Sequence, residues 1–332
     1  MPNIAFAGVT HIHTPGFINK TLKDSRSKTI GVFDKDNERA QQAADKLNCP
    51  VIDLEKIITD DNIDGIVICS ETINHYDLIS QLVKTGKALF IEKPVGFSSQ
   101  DSKNISSNIK ENNNIFQTGY FMRAMPIHLY LKKAIENNAF GKITSINMSN
   151  CHAGAINGIF DKDYRWMADT KQCGYGGFGD LGFHSLDIMQ WMIGKPKRVI
   201  ASIDTILKKY PDIDEYGQGL LEFENGIFGH LRAGWVSDKN PISFELSGTE
   251  GHAYISQGKL FVFSEKLNGG DGTEAITDLP DAHPHPFQVF IDHLSADTSS
   301  PLIPLNEAVA VDITMDAFYE SAKKGSWVEP DF

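Results

Sequence analysis

The chain predicts an α/β fold: a parallel, doubly wound sheet in its first part, then an α+β domain with a large, mostly antiparallel sheet. Three observations carry this. Short apolar runs alternate with helical patterns of about ten residues through the first third, the rhythm of parallel strands joined by right-handed crossovers. Runs alternating at period two follow Val199, two of them joined by Asn225-Gly226, a strong hairpin signal. The 332 residues also exceed the size at which a single core stops growing, so two domains are expected, 1–120 and 121–332.

Taken in order, residues 4–7 read as a short buried strand and 28–33 as a second, ending at Asp34. Residues 37–47 have helical spacing, opened by the capping residues Asp36 and Asn37. The apolar run 63–69 is a third strand, 74–84 a helix stopped by Thr85-Gly86, and 88–91 a strand leading to Lys93. After Gln117-Thr118-Gly119-Tyr120 the texture changes. A helix over 126–137 and a strand over 142–150 lead to a Gly-rich, aromatic loop over 164–179, and then to a helix from Asp180. Further strands are expected over 219–224, 227–233, 242–247 and 260–263, with 268–273 as a Gly-rich loop.

The content, 41% hydrophobic and 22% charged, is that of an ordinary globular protein, and the net charge of −12 repels nucleic acid and anionic membranes. No apolar segment approaches the roughly 20 residues that span a bilayer, and the N-terminus lacks the basic start and apolar run of a secretory leader. Cys49, Cys69, Cys151 and Cys173 show no metal-like or disulfide-framework spacing. A cytoplasmic protein is expected, with no nucleic-acid or membrane partner.

In open α/β sheets, ligands lie outside the carboxyl ends of the strands, so Lys93 in Glu92-Lys93-Pro94 is aimed at a crevice. The helix from Asp180 puts Asp180, His184 and Asp187 on one face at i, i+4 and i+7. A lysine, a histidine and carboxylates sharing a pocket are the parts of an acid–base site. The turn after the first strand sits where a Gly-x-Gly-x-x-Gly dinucleotide fingerprint belongs, but only Gly8 fits; Thr10 and His13 replace the other glycines. Asp34, ending the second strand, can accept a hydrogen bond from a ribose 2′-hydroxyl.

These pieces resemble the Gfo/Idh/MocA family of sugar and polyol oxidoreductases over essentially the whole chain. The resemblance rests on Gly8 with Asp34, the strand and turn from Ile66 to His75, Glu92-Lys93-Pro94, Arg165-Trp166, Asp180-x-Gly-x-His184-x-x-Asp187, Ser247-Gly248-Thr249-Glu250-Gly251, and Tyr319-Glu320-Ser321-Ala322 with Gly325. Ser70-Glu71 stands where that family usually has Thr-Pro beside the cofactor. The resemblance implies a Rossmann-type first domain that binds a nicotinamide dinucleotide, and Lys93, Asp180 and His184 in the catalytic pocket; Asp34 points to NAD rather than NADP. The resemblance also implies a cofactor set of Gly8, Thr10, His11, Ile12, Asp34, Ser70, Glu71, His75, Glu92 and Lys93. The substrate set it implies, for a sugar or polyol, is Tyr120, Arg123, Tyr164, Arg165, Trp166 and Asp187.

The chemistry suits these residue types. His184 would take the hydroxyl proton of a secondary alcohol while hydride leaves for nicotinamide; Lys93 would stabilise the developing alkoxide, and Asp180 would orient or assist. A neighbouring Asp180 is expected to shift the His184 titration upward. Gly182 would let a sugar approach the helix backbone. Other readings stand beside these. His184 could be a core histidine satisfied by Asp180 or Asp187, Asp187 a structural residue, and Tyr164, Arg165 and Trp166 interdomain packing instead of a sugar wall. His75 reads as a helix-start residue near the cofactor. His11 and His13 read as polar groups facing cofactor or substrate, and no metal is expected there or at His283-Pro284-His285, which has no ligand-type partners at suitable spacing. The chain could instead keep NAD bound and oxidise a glycoside transiently, or be a silent binding homologue. Asp34 should favour NAD on the order of thirtyfold by repelling a 2′-phosphate. A homodimer or homotetramer is expected through the open face of the second sheet, where Ile227, Phe228, Leu231 and Trp235 were expected to present apolar groups.

Overall fold

A computed structural model describes residues 1–332. The first part runs β1 (Asn3–Val9), α1 (Thr14–Lys23), β2 (Lys28–Phe33), α2 (Asn37–Leu47), α3 (Leu54–Thr59), β3 (Gly65–Cys69), α4 (His75–Leu82), β4 (Ala88–Ile91), α5 (Ser99–Asn112) and β5 (Phe116–Thr118). Its five strands are all parallel, in the order β2-β1-β3-β4-β5. Alternation along each strand divides the core. Ile4, Phe6, Val67, Cys69 and Phe90 face α1 and α2, while Ala5, Ala7, Ile66, Ile68, Leu89 and Ile91 join the core that includes residues of α4 and α5. Because the strand order reverses between β1 and β3, the loops after these strands part there and open a crevice.

The second part continues with α6 (Pro126–Glu136), β6 (Ile143–Cys151), α7 (Thr170–Cys173), α8 (Gly177–Ile193), β7 (Pro196–Asp204), β8 (Tyr216–Phe223) and β9 (Phe228–Gly234). It ends with β10 (Ile242–Gly248), β11 (Gly251–Ser256), β12 (Lys259–Phe263), β13 (Asp271–Ala275), α9 (Pro286–Leu294) and α10 (Leu305–Lys324). Its eight strands are ordered β13-β12-β11-β10-β6-β9-β8-β7, antiparallel except for the central β6–β9 pair. The Asn225-Gly226 turn joins β8 to β9 as a hairpin, with Gly226 at φ +74°. Helices α8 and α10 cover one face of this sheet.

Several expectations are corrected. Helices α1, α3, α5 and α9 lie outside the expected elements; α1 buries Thr14, Phe17, Ile18 and Thr21 along one face, but only two of the four are apolar. Helix α8 begins at Gly177, three residues before Asp180, and the segment 164–179 contains a 3₁₀ turn at Arg165–Ala168 and the short α7. Strand β13 starts inside the expected 268–273 loop. Leu231, Trp235 and Ile227 point into the core, so of the apolar groups assigned to the open face only Phe228 is there. That face carries Leu220, Phe228 and the stacked Tyr254–Phe261 pair among Gln218, His230, Arg232 and Glu245. Helix α9 returns to the first sheet, where its Phe287 stacks on Phe17 and lies edge-on to Phe90 at centroid distances of 5.0 and 5.3 Å.

Phe318 of α10 fills the space over Gly219, where an added Cβ would lie 2.4 Å from its ring, and packs edge-on against Phe178. Phe318→Ala should cost about 3–5 kcal/mol through lost burial and the cavity left behind. Urea unfolding reads this directly; a loss below about 1 kcal/mol would mean that α10 is held to the sheet by other contacts.

Candidate active site

The fully buried strand β4 ends at Glu92 and Lys93, which are themselves 0% and 2% exposed. Lys93 Nζ donates to Asp180 Oδ1 at 2.7 Å and to the Asp180 carbonyl at 3.0 Å; Trp235 Nε1 donates to Asp180 Oδ2 at 3.0 Å. Burial alone would raise the Asp180 pKa, but the Lys93 ammonium outweighs it and holds the carboxyl far below its usual range.

Helix α8 delivers Asp180 because its start is fixed by groups distant in sequence. The Asp214 carboxylate accepts the amides of Gly176 and Phe178, and the Tyr319 hydroxyl accepts those of Gly176 and Gly179 while donating to Asp214. Gly176 and Gly177 let the backbone come this close, since a Cβ on either would lie 2.2–2.3 Å from the carbonyls of Asp214 or Glu215. One turn on, His184 lies edge-on to Phe121, centroids 5.0 Å apart, and its Nδ1 is buried without a partner. Burial, then the nearby positive charge of Lys93, push its pKa well below the ordinary imidazole value, opposite to the upward shift expected from Asp180. Asp180 still acts upward, but burial and the Lys93 charge outweigh it.

Of the groups expected near the chemistry, Lys93, Asp180, His184, Glu92, His11 and Trp166 come together. His13 Nδ1 bonds Glu92 Oε1 at 2.8 Å, and the His13 and His184 ring centroids are 6.0 Å apart. Burial works against the Glu92 charge, yet the His13 contact brings its pKa down to about 2; burial takes His11 down to about 3. The nitrogens of His11 and His13 and a Glu92 oxygen lie within 4.8 Å of one another, close enough to ligate a metal ion, although neither histidine was read as a ligand. Here His11 Nδ1 instead accepts the His13 amide at 3.2 Å. Trp166 lies over His11, its Nε1 donating to the Thr10 carbonyl at 3.3 Å. The space left between Trp166, His11, Lys93 and Asp180 is about 20 Å³.

Other expected residues are engaged elsewhere. Arg123 grips Asp187 through two nitrogens at 2.6–3.1 Å and reaches Glu307 at 2.5 Å, so the two residues expected to touch substrate pair with each other. Arg165 bonds the Ala168 carbonyl and lies over Tyr210, and Tyr164 is only partly buried. Tyr120 is fully buried. Gly182 abuts Met315, Ala233 and Leu231, so its missing side chain serves core packing.

The crevice between β1 and β3 suits a dinucleotide. Gly8, at φ +85°, has Ser70 so close that a Cβ would meet it at 2.5 Å, and the Thr10 and His11 amides donate to the Cys69 carbonyl. Beyond it a cavity of about 220 Å³ is bordered by Gly8, Phe33, Asp34, Ser70 and Glu71. The hydroxyls of Thr10 and Thr14, buried and unpartnered, are free donors beside the turn. His75 lies deeper, its Nδ1 bonded to the Val95 carbonyl at 3.2 Å. These residues would hold the adenosine and pyrophosphate, with Glu92, Lys93 and His184 at the far end for the nicotinamide. Asp34 accepts the Val9 amide, but its other oxygen is taken by Asp36 N and by Arg39 Nη2 at 2.8 Å, a partner not foreseen in sequence.

Asp187→Ala should cost about 3–5 kcal/mol, because it leaves the Arg123 guanidinium buried with half its partners gone. Thermal unfolding checks this; an unchanged midpoint together with a raised KM would restore Asp187 to substrate binding.

Comparison with known proteins agrees with this fold. Residues 2–120 match a family model described as oxidoreductase family, NAD-binding Rossmann fold, and residues 128–254 match the GFO/IDH/MocA C-terminal domain. The chain is 30% identical over 237 residues to scyllo-inositol 2-dehydrogenase (NAD(+)) of Bacillus subtilis, covering 69% of this chain and 66% of that protein. It is 24% identical to levoglucosan dehydrogenase of Pseudarthrobacter phenanthrenivorans, covering 60% of this chain and 57% of that one. These matches thus span just under two thirds of the first relative and somewhat more than half of the second. A solved levoglucosan dehydrogenase in complex with NADH and levoglucosan superposes with a TM-score of 0.82 over 100% of both chains at 21% identity. The chain belongs to the GFO/IDH/MocA oxidoreductase family.

Proposed function

We propose that the protein is an NAD-dependent dehydrogenase or reductase that moves hydride between a secondary alcohol of a sugar, polyol or inositol and nicotinamide. The observation that carries this is the meeting of Lys93, Asp180 and His184 at the open end of the switch-point crevice. Relatives named for inositol and levoglucosan dehydrogenation favour this substrate class. In this reading residues 1–120 hold the cofactor, and 121–332 supply the substrate side and the subunit interface.

Bound NAD would supply a hydride acceptor. His184, held neutral by burial and by the positive charge of Lys93, accepts the hydroxyl proton at the start of oxidation. Lys93 donates to the same oxygen as charge grows on it, and Asp180 fixes the ammonium while staying ionised. Trp166 and Phe121 exclude water, which strengthens these interactions.

His184→Ala and Lys93→Met should each slow single-turnover hydride transfer about 10²–10⁴-fold while leaving NAD affinity, measured by fluorescence, nearly intact. Lys93→Arg should rescue poorly, since a planar fork cannot replace a compact ammonium at one oxygen. Near-normal transfer in either of the first two variants would remove that residue from the mechanism. Release of NADH in each turnover distinguishes this function from transient oxidation with retained cofactor.

The acid side of the pH profile follows from the same geometry. A base whose pKa is depressed stays neutral until the pH falls past that lower value. The oxidation rate should therefore hold through pH 6.5, the ordinary imidazole value, and decline only below it. An inflection above 6.5 that disappears in His184→Ala would refute this environment for the base.

The protein should also assemble as a homodimer or homotetramer, with the face bearing Leu220, Phe228, Tyr254 and Phe261 as its contact surface. A light-scattering mass equal to one chain at micromolar concentration would refute this.

A further inference from the structure

Glu71, in the turn after β3, is the hub of an ionic cluster around Asp34. Its Oε1 accepts from Arg39 Nη2 at 2.9 Å, and the same nitrogen donates to Asp34 Oδ1 at 2.8 Å. Its Oε2 accepts from Asn74 Nδ2 at 3.0 Å, while Asn74 Oδ1 accepts from Lys35 Nζ at 2.6 Å. One carboxylate therefore holds both cations that flank Asp34, Arg39 directly and Lys35 through an amide. The Asp34 and Glu71 side chains are 2% and 13% exposed, so their charges are only partly screened.

The Asp34–Arg39 pair alone is formally neutral, and a guanidinium free to turn from it is a good bidentate partner for a phosphate. With Glu71 added, Asp34, Glu71 and Arg39 together carry one net negative charge, and Arg39 Nε and Nη2 are both committed to carboxylates. A carboxylate with two oxygens has room for about four hydrogen bonds. Asp34 accepts four, but three of them, from Asp36 N and from Arg39 Nε and Nη2, converge on Oδ1; Oδ2 holds the Val9 amide alone and keeps a lone pair for a ribose hydroxyl.

We propose that Glu71 is the specificity residue of the adenosine subsite: by pinning Arg39 against Asp34, it turns the guanidinium away from a 2′-phosphate while leaving a 2′-hydroxyl its acceptor on Asp34. This rests on the reading of the crevice as an NAD site and deepens it. Asp34 then supplies recognition of the hydroxyl, and Glu71 supplies exclusion of the phosphate. Asp34 alone, compensated by Arg39, is a weaker filter than a free carboxylate.

The test is calorimetric titration of NAD and NADP into wild type, Glu71→Gln, Arg39→Ala and the double variant, with no catalytic readout. Glu71→Gln keeps the size and an acceptor but removes the charge. It should raise the affinity for NADP relative to NAD on the order of tenfold. The gain should vanish in the double variant, because Arg39 is the cation that is released. A relative affinity within about twofold of wild type in Glu71→Gln, or an equal gain with and without Arg39, would overturn the proposal while NAD binding stands. Wild type that binds neither nucleotide would instead overturn the dinucleotide reading, and the proposal with it.

Discussion

The ion pair between Lys93 and Asp180 is the interaction on which the arrangement of the site depends. It joins the end of a strand in the parallel sheet to the first turn of a helix packed on the antiparallel one, across 87 residues of chain. Taking two charges out of water is costly unless each is well partnered. Here Lys93 has both the carboxylate and a carbonyl, and Asp180 has the Trp235 indole as well. The same pair bears on the state of His184. Burial against an apolar wall disfavours the imidazolium first, and the Lys93 ammonium adds to it, outweighing the opposite pull of Asp180.

Helix α10 keeps the two halves in register. Asp312 accepts the amides of Val95 and Gly96, just after Lys93, and the Ser102 hydroxyl; burial pushes its carboxyl up to about 7. Asp316 accepts the Ser99 amide and the Tyr175 hydroxyl, and Tyr319 completes the cap on α8. Positions i, i+4 and i+7 of one helix thus address the loop behind the lysine and the start of the helix bearing Asp180 and His184. The charges of the site are placed by a helix that contributes no group to the chemistry.

Much of the first domain was legible because its strands are short, mostly apolar and separated by helices; 28–33, 37–47 and 88–91 have the same bounds in sequence and structure. The unpredicted α5 has a polar sequence in which only Ser102, Ile105, Ser106 and Ile109 are buried, so periodicity had little to work with. In the candidate site, motif spacing singled out Lys93, Asp180 and His184, which the fold brings together. It could not show that Asp187 turns to Arg123, because i, i+7 on a helix fixes a face and not a partner. Period two along β9 showed alternation but not its sign: Leu231 and Trp235 lie on the covered side. Arg39 lies five residues after Asp34, on the first turn of a capped helix; that position is the signal that could have identified it.

The narrow space beneath Trp166 has a consequence for how substrate arrives. A void of about 20 Å³ accommodates one water molecule, not a sugar ring. The indole of Trp166 occupies the rest of that corner, tilted against His11 and bonded to the Thr10 carbonyl. A single side chain of the second domain is thereby anchored to the turn after β1, and the two walls of the crevice move apart only by breaking that bond.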